Sequence, residues 1–181
     1  MNIKKQKTSL DRRRDVRTVN EFRKVIKETT LREKMLIEVW IKEMKHRGYI
    51  ASYEDYGIDN TGELQEKVDN RPDYKVNLNE QEILIEVKAN KISHKQTFKV
   101  HDIKKYISYN ATILLVYGIG NTKEINYETI RWGLISTEKM SLMLKDLQVE
   151  SGDRLWGNKP IIRVYPKDYD KYWKEEILTC Q

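Results

Sequence analysis

Polar and apolar residues alternate most clearly between positions 71 and 88. Tyr74, Val76 and Leu78 are each separated by a polar residue, and Ile83, Ile85 and Val87 repeat the alternation after a polar break at Asn79-Glu80. A period of two marks a half-buried strand, so this stretch predicts a β-hairpin. A turn centred between Asn79 and Glu80 places Val76 beside Ile83, Tyr74 beside Ile85, and Asp73 directly opposite Glu86. Upstream, over residues 19–47, the period changes. Met35, Leu36, Ile37, Val39, Trp40, Ile41 and Met44 fall on one broad arc when advanced by about 100° per residue, which predicts a helix. Gly48 stops it, and Lys45, His46 and Arg47 sit in its last turn, where cations suit the helix dipole. Glu33 lies in line with Ile37, Trp40 and Met44 on the apolar arc. Glu38 lies on the polar side.

The rest of the chain continues the mixture of strands and helices. Tyr49-Ile50-Ala51 begins a strand, and Gly57, Asp59-Asn60 and Gly62 mark loops. Residues 89–96 read as a polar connection. Val100, Ile103 and Ile107, with Tyr106 beside them, space as one helix face ending near Asn110. Residues 111–117 form a continuous apolar run, as expected of a strand covered on both faces. Residues 129–136 read as a strand, and Ser136 or Thr137 caps a helix through Met140, Met143, Leu144 and Leu147. Residues 161–165 form a last strand, stopped by Pro166. Tyr165, Tyr169, Tyr172 and Trp173 cluster with Lys167, Lys171 and Lys174. Such a cluster docks a terminal helix on the core, or alternatively stacks bases.

Composition narrows the class. At 181 residues the chain predicts a single domain of residues 19–181 behind a flexible arm of residues 1–18, with the core over about 19–120 and a C-terminal α/β extension over about 121–181. Residues 1–17 hold seven basic residues, among them Arg12, Arg13 and Arg14, against Asp11 and Asp15, a net of +5 out of +6 for the whole chain. A basic arm ahead of a near-neutral body suits a nucleic-acid tether, and equally a solvated tail. No run of about 20 apolar residues and no secretory signal pattern is visible, so no membrane association is expected. One cysteine, Cys180, cannot form an internal disulfide, which fits a cytoplasmic, intracellular protein. The three histidines are scattered and lack a zinc-ligand pattern. Gly118-Ile119-Gly120 is too short for a nucleotide-binding signature, so no nucleotide cofactor is expected.

The chemistry concentrates in the hairpin. Lys88 shares the Glu86 face, because side chains alternate along a strand. Asp73 and Glu86 therefore face each other with a lysine alongside. Directly opposed like charges are destabilising, and a hard divalent cation offsets their repulsion, since magnesium is typically held by one or two carboxylates plus phosphate oxygens. Glu33, an acid within an apolar arc, is costly unless paired or metal-linked. An exposed hairpin with ordinary surface charges is the competing reading.

Pro72-Asp73, twelve intervening residues, then Glu86-Val87-Lys88 resembles the PD-(D/E)xK nuclease superfamily, which includes restriction endonucleases and Holliday-junction resolvases. The resemblance implies an α/β fold with a restriction-endonuclease-like αβββαβ core, its mixed central sheet flanked by helices. It implies a metal-dependent, endonuclease-type phosphodiesterase acting on DNA, RNA remaining open, with Asp73, Glu86, Lys88 and Glu33 as the catalytic set. Mg2+, with Mn2+ as substitute, would be held by Asp73, Glu86, Glu33 and the Val87 carbonyl. Glu33 stands about one turn further from the helix end than the family's usual glutamate, which leaves Glu38 as the fallback, and Asp69 is the runner-up to Asp73. Gln96, Lys99 and Lys104 are candidates for orienting substrate phosphate, beside Arg12, Arg13 and Arg14 in the arm. Superfamily members that cut both strands are often homodimers. The small size, basic arm and high Lys, Ile and Asn content suit a phage or mobile-element protein. A catalytically inactive nucleic-acid-binding module of the same fold is the alternative.

Overall fold

The computed structural model describes residues 19–57, 71–90, 94–119, 130–152 and 158–177. The basic arm with Arg12, Arg13 and Arg14, together with Asp59, Asp69 and Cys180, lies outside them.

A long helix, α1 (Val19–His46), opens the described chain. Gly48 ends it at φ 89°. The Gly48 N–H bonds to the Lys45 carbonyl and the Tyr49 N–H to the Met44 carbonyl, each at 3.0 Å. This is the Schellman arrangement, in which a left-handed residue closes the last turn; it favours glycine because glycine has no Cβ to clash. Strand β1 (Ala51–Asp55) follows at once.

Strands β2 (Tyr74–Leu78) and β3 (Gln81–Asn90) form the hairpin. Tyr74 pairs with Ile85 and Val76 with Ile83, the register that alternation and the turn position predict. Asn79 and Glu80 both adopt positive φ, 48° and 70°. Two left-handed residues make the I′ turn whose twist matches the flanking strands. Asn79 also ties the hairpin to its neighbour, its N–H donating to the Ile50 carbonyl while its Oδ1 accepts from the Ile50 N–H, both at 2.9 Å.

The chain then departs from expectation. Residues 89–96 are not simply a connection: β3 runs to Asn90, and Gln96–Lys99 forms a strand, β4. Helix α2 (Val100–Ser108) and strand β5 (Thr112–Tyr117) follow. Strand β6 (Arg131–Ile135) leads into helix α3 (Thr137–Asp146), whose first turn is capped by the Ser136 side chain accepting from the Lys139 N–H. Short strand β7 (Glu150–Ser151), strand β8 (Pro160–Val164), helix α4 (Tyr169–Tyr172) and short strand β9 (Glu176–Ile177) complete the described chain.

These elements build a six-stranded mixed sheet in the order β1-β2-β3-β5-β6-β9. The pairings β1–β2 and β2–β3 are antiparallel and β3–β5 is parallel. With α1 ahead and α2 as the crossover, this is the αβββαβ core that the resemblance implies; β4 is an insertion between β3 and α2. A second antiparallel sheet, β4-β8-β7, gives β4 its partner: Phe98 pairs with Ile162.

Two hydrophobic layers sandwich the main sheet. On one face Leu36, Ile37, Trp40 and Met44 of α1 pack on Tyr74, Val76, Ile85, Val87, Leu114 and Val116. On the other, Ile113, Leu115 and Tyr117 meet Ile103 and Tyr106 of α2, Met140 and Met143 of α3, and Tyr169, Tyr172 and Trp173. The C-terminal aromatic cluster thus docks the end of the described chain on the core, while Tyr165 stays exposed. Among the described residues no helix is long and apolar enough to cross a membrane.

Candidate active site

β3 outruns β2. Its residues 81–85 pair with β2, whereas residues 85–90 pair with β5 on the other side. Past Ile85 the sheet therefore has a notch where β2 has not yet begun. Asp73, one residue before β2, sits at its rim and closes it electrostatically: Oδ2 accepts from the Val87 N–H at 2.9 Å. A backbone donor that a longer β2 would satisfy is satisfied by this carboxylate instead.

Glu86 and Lys88 leave β3 on the α2 face, as their alternation with buried Val87 requires. Glu86 is buried, and its Oε1 accepts from both the Lys88 ammonium and the Tyr106 hydroxyl. Lys88 also lies 5.3 Å from the centroid of the Tyr106 ring. Its side chain keeps 35% exposure. Tyr106 occupies an apolar position of α2 yet carries a hydroxyl, and a buried phenol needs a partner. That requirement was visible in the sequence, but nothing in the sequence named Glu86 as the partner.

From the opposite face α1 brings Glu33 within electrostatic reach of Lys88, Glu86 and Asp73. Burial, and then the Glu86 charge, hold the Glu33 carboxyl up at about 7, against the pull of Lys88 and Arg32. Asp73 is likewise raised well above the usual carboxylate range, by burial first and then by Glu86 and Glu33, with Lys88 and the Val87 N–H opposing. Burial alone would lower Lys88, but Glu86, Tyr106, Asp73 and Glu33 together raise it well above the usual lysine range. Lys88 is therefore an ammonium at neutral pH. Burial raises the Tyr106 phenol as well, keeping it neutral and a donor.

The structure thus brings Glu33, Asp73, Glu86 and Lys88 to one notch. Glu38 faces away: it is exposed and accepts from the Tyr53 hydroxyl at 3.1 Å. Val87 points its side chain into the α1 core. Gln96 is wholly buried, its Oε1 accepting from Asn90 at 2.8 Å and its Nε2 donating to the Tyr169 hydroxyl at 3.3 Å. Its amide is engaged at both ends within the fold. Lys99 stands at the end of β4 and lines the same cavity as Lys88, and Lys104 is on the exposed side of α2.

A hard divalent cation suits this donor set. Among the described residues no three acids, histidines or cysteines form a ready-made metal cage, but magnesium is usually content with one or two carboxylates and completes its shell with water and substrate oxygens. Two observations fit it here. Burial first, and neighbouring charge after it, holds Glu33 and Asp73 towards their protonated forms, and a cation would favour the ionised ones. The Tyr74 hydroxyl is buried with no hydrogen-bond partner among the described residues, and it feels the charges of Asp73, Asp55 and Glu33. Such a group would find its partner in a metal-bound water.

No family model and no curated protein matches this chain. Among solved structures it is similar to Hjc, a Holliday junction resolvase from the archaeal hyperthermophile Archaeoglobus fulgidus, at 9% sequence identity and a TM-score of 0.42, over 80% of this chain and 89% of that one. A likeness this distant leaves the reading of the notch to its own side chains.

Proposed function

We propose that the chain is a metal-dependent nuclease that hydrolyses phosphodiester bonds in DNA, cutting within strands. The observation that supports this most is that Glu33, Asp73, Glu86 and Lys88 lie within electrostatic reach of one another around the notch ahead of β2. Asp73 and Glu86 would hold magnesium or manganese, with Glu33 and the Val87 carbonyl completing the set. When bound, the ion supplies an activated water and charge neutralisation at the phosphoryl oxygens.

The chain's own residues do the rest. The Val87 N–H fixes the orientation of Asp73, and Tyr106 and Lys88 fix that of Glu86. Lys88 stays protonated and offers its charge to the phosphate, where negative charge grows as the bond breaks. It is a poor general base for the same reason. Lys99, Lys104 and the arm residues Arg12, Arg13 and Arg14 would meet flanking phosphates and make binding salt-sensitive.

The test is cleavage of supercoiled plasmid, linear duplex and single strand in magnesium or manganese. The wild type should cut at least one form, and EDTA should stop it. Asp73→Ala and Lys88→Ala should stay folded and lose about 10²–10³-fold or more of the rate, the scale on which removing one charge-stabilising group acts. No cutting by the wild type, or full cutting by both variants, rejects the assignment. Binding without cutting would instead favour a recognition module.

A further inference from the structure

Beside the notch lies a cavity of about 440 Å³ that the four residues above do not explain. The end of β3, strand β4, the start of α2 and Arg163 of β8 enclose it. Its basic lining residues are Lys88, Lys95, Lys99 and Arg163, against one acid, Asp102. That acid lies 2.9 Å from the His101 imidazole. Lys88 also pairs with Glu86 and Arg163 with Glu150, and neither acid lines the cavity. Lys95 and Lys99 flank the cavity from β4 and the segment just before it. The positive field spreads beyond the walls: burial lowers the His101 imidazole, and Lys159, Lys99 and Lys105 lower it further despite Asp102. Phe98, Ile103 and Leu115 back the cavity from the core at 6%, 0% and 2% exposure, and its partly exposed uncharged lining is Ala89, Asn90 and Thr97.

Small-ligand sites fill about 300–1,000 Å³, apolar in the main with a few placed polar groups. This cavity falls in that range. It is far too small for a duplex and of the right order for one nucleotide. Cations on its wall select a phosphate, and Ala89 and Thr97 leave uncharged surface for the sugar or base.

We propose that this cavity takes a single unpaired nucleotide of the substrate strand, its phosphate against Lys95 and Lys99 and its neighbouring phosphodiester at the notch. The proposal rests on the nuclease reading and narrows its substrate to DNA in which pairing is broken beside the cut, as at a strand end, a flap or an extruded base. Gln96 contributes by position: bonded to Asn90 and Tyr169, it holds the cavity wall to the end of β3.

Binding and cutting test it separately. Deoxyadenosine 5′-monophosphate and deoxyadenosine are titrated calorimetrically into the full chain in EDTA, which removes any metal contribution from the carboxylates. The nucleotide should bind saturably and the nucleoside at least about 10-fold more weakly. Lys95→Glu and Lys99→Glu, singly and together, should weaken nucleotide binding about 10-fold or more. Lys145→Glu on α3, which does not line the cavity, should not. Circular dichroism checks that each variant is folded. In magnesium, a duplex with one unpaired nucleotide should be cut about 10-fold faster than its fully paired counterpart. Equal binding of nucleoside and nucleotide, no saturable binding, or wild-type binding by the folded charge-reversed variants overturns the pocket. Cutting that ignores the unpaired nucleotide overturns its role in substrate choice. Nucleotide binding without any cutting overturns the nuclease reading instead.

Discussion

A carboxyl taken out of water beside other acids keeps its proton to a higher pH, and Glu33 does so to about pH 7 against an ordinary 4.5. Between those values the folded chain binds more protons at this site than the unfolded chain, so stability falls as pH rises through the window and levels off above it. Asp73 contributes in the same direction. In EDTA, the melting temperature should therefore decline from about pH 5 to about pH 7.5, and Glu33→Gln should make that decline shallower. Magnesium should do the same to the wild type by favouring the ionised acids. A slope identical in wild type and variant would mean that Glu33 does not titrate in this environment. Most of this site is legible residue by residue in the sequence. Strand alternation puts Glu86 and Lys88 on one face, the turn position puts Asp73 opposite Glu86, and helical phase turns Glu33 inward. Tyr106 was not legible as a member of the site, because its partner Glu86 comes from an element that only the tertiary fold brings near, and Gln96, expected to orient substrate phosphate, is instead bonded to Asn90 and Tyr169 inside the fold.

At the scale of elements, the hairpin and β4 show what local pattern can and cannot carry. The hairpin is self-contained: its two strands are adjacent in sequence, and a two-residue turn fixes their register. That turn holds a non-glycine residue, Glu80, at φ 70°, where a side chain costs about 1–2 kcal/mol that glycine avoids. After the extra entropy that glycine loses on folding, Glu80→Gly should stabilise the protein by about 0.5–1 kcal/mol, read as an upward shift of the urea midpoint at unchanged slope. A lower midpoint would show that the turn is not of this type. Strand β4 is the opposite case. Its four residues, Gln-Thr-Phe-Lys, carry too little alternation to announce a strand, and its partner β8 lies far along the chain. Helix α1 was readable because 28 residues give its apolar stripe room to repeat.

Across the whole molecule, the last described strand is fastened to the end of the first helix. Glu43, fully buried, accepts from Arg47 Nε at 2.8 Å, and Arg47 reaches on to Glu176 of β9 while lying 5.2 Å from the centroid of the Trp132 ring. Removing Arg47 strips a buried carboxylate of a charged partner. Breaking a buried pair costs about 3–5 kcal/mol, and the 32% exposure of Arg47 reduces this to about 2 kcal/mol. Arg47→Ala should lower the stability by that amount in chemical denaturation, and unchanged stability would show that the clasp is ornamental. The parallel pairing of β3 with β5 has a different kind of consequence. Glu33, Asp73, Glu86 and Lys88 are all synthesised before residue 89, yet Lys88 stands next to Leu115, and Tyr106, which holds Glu86, also comes later. Non-local parallel strands assemble late in folding. The order of translation therefore leaves the notch unfinished until late: a half-made chain emerging from the ribosome carries Glu33, Asp73, Glu86 and Lys88 without the strand and the tyrosine that hold the last two in place.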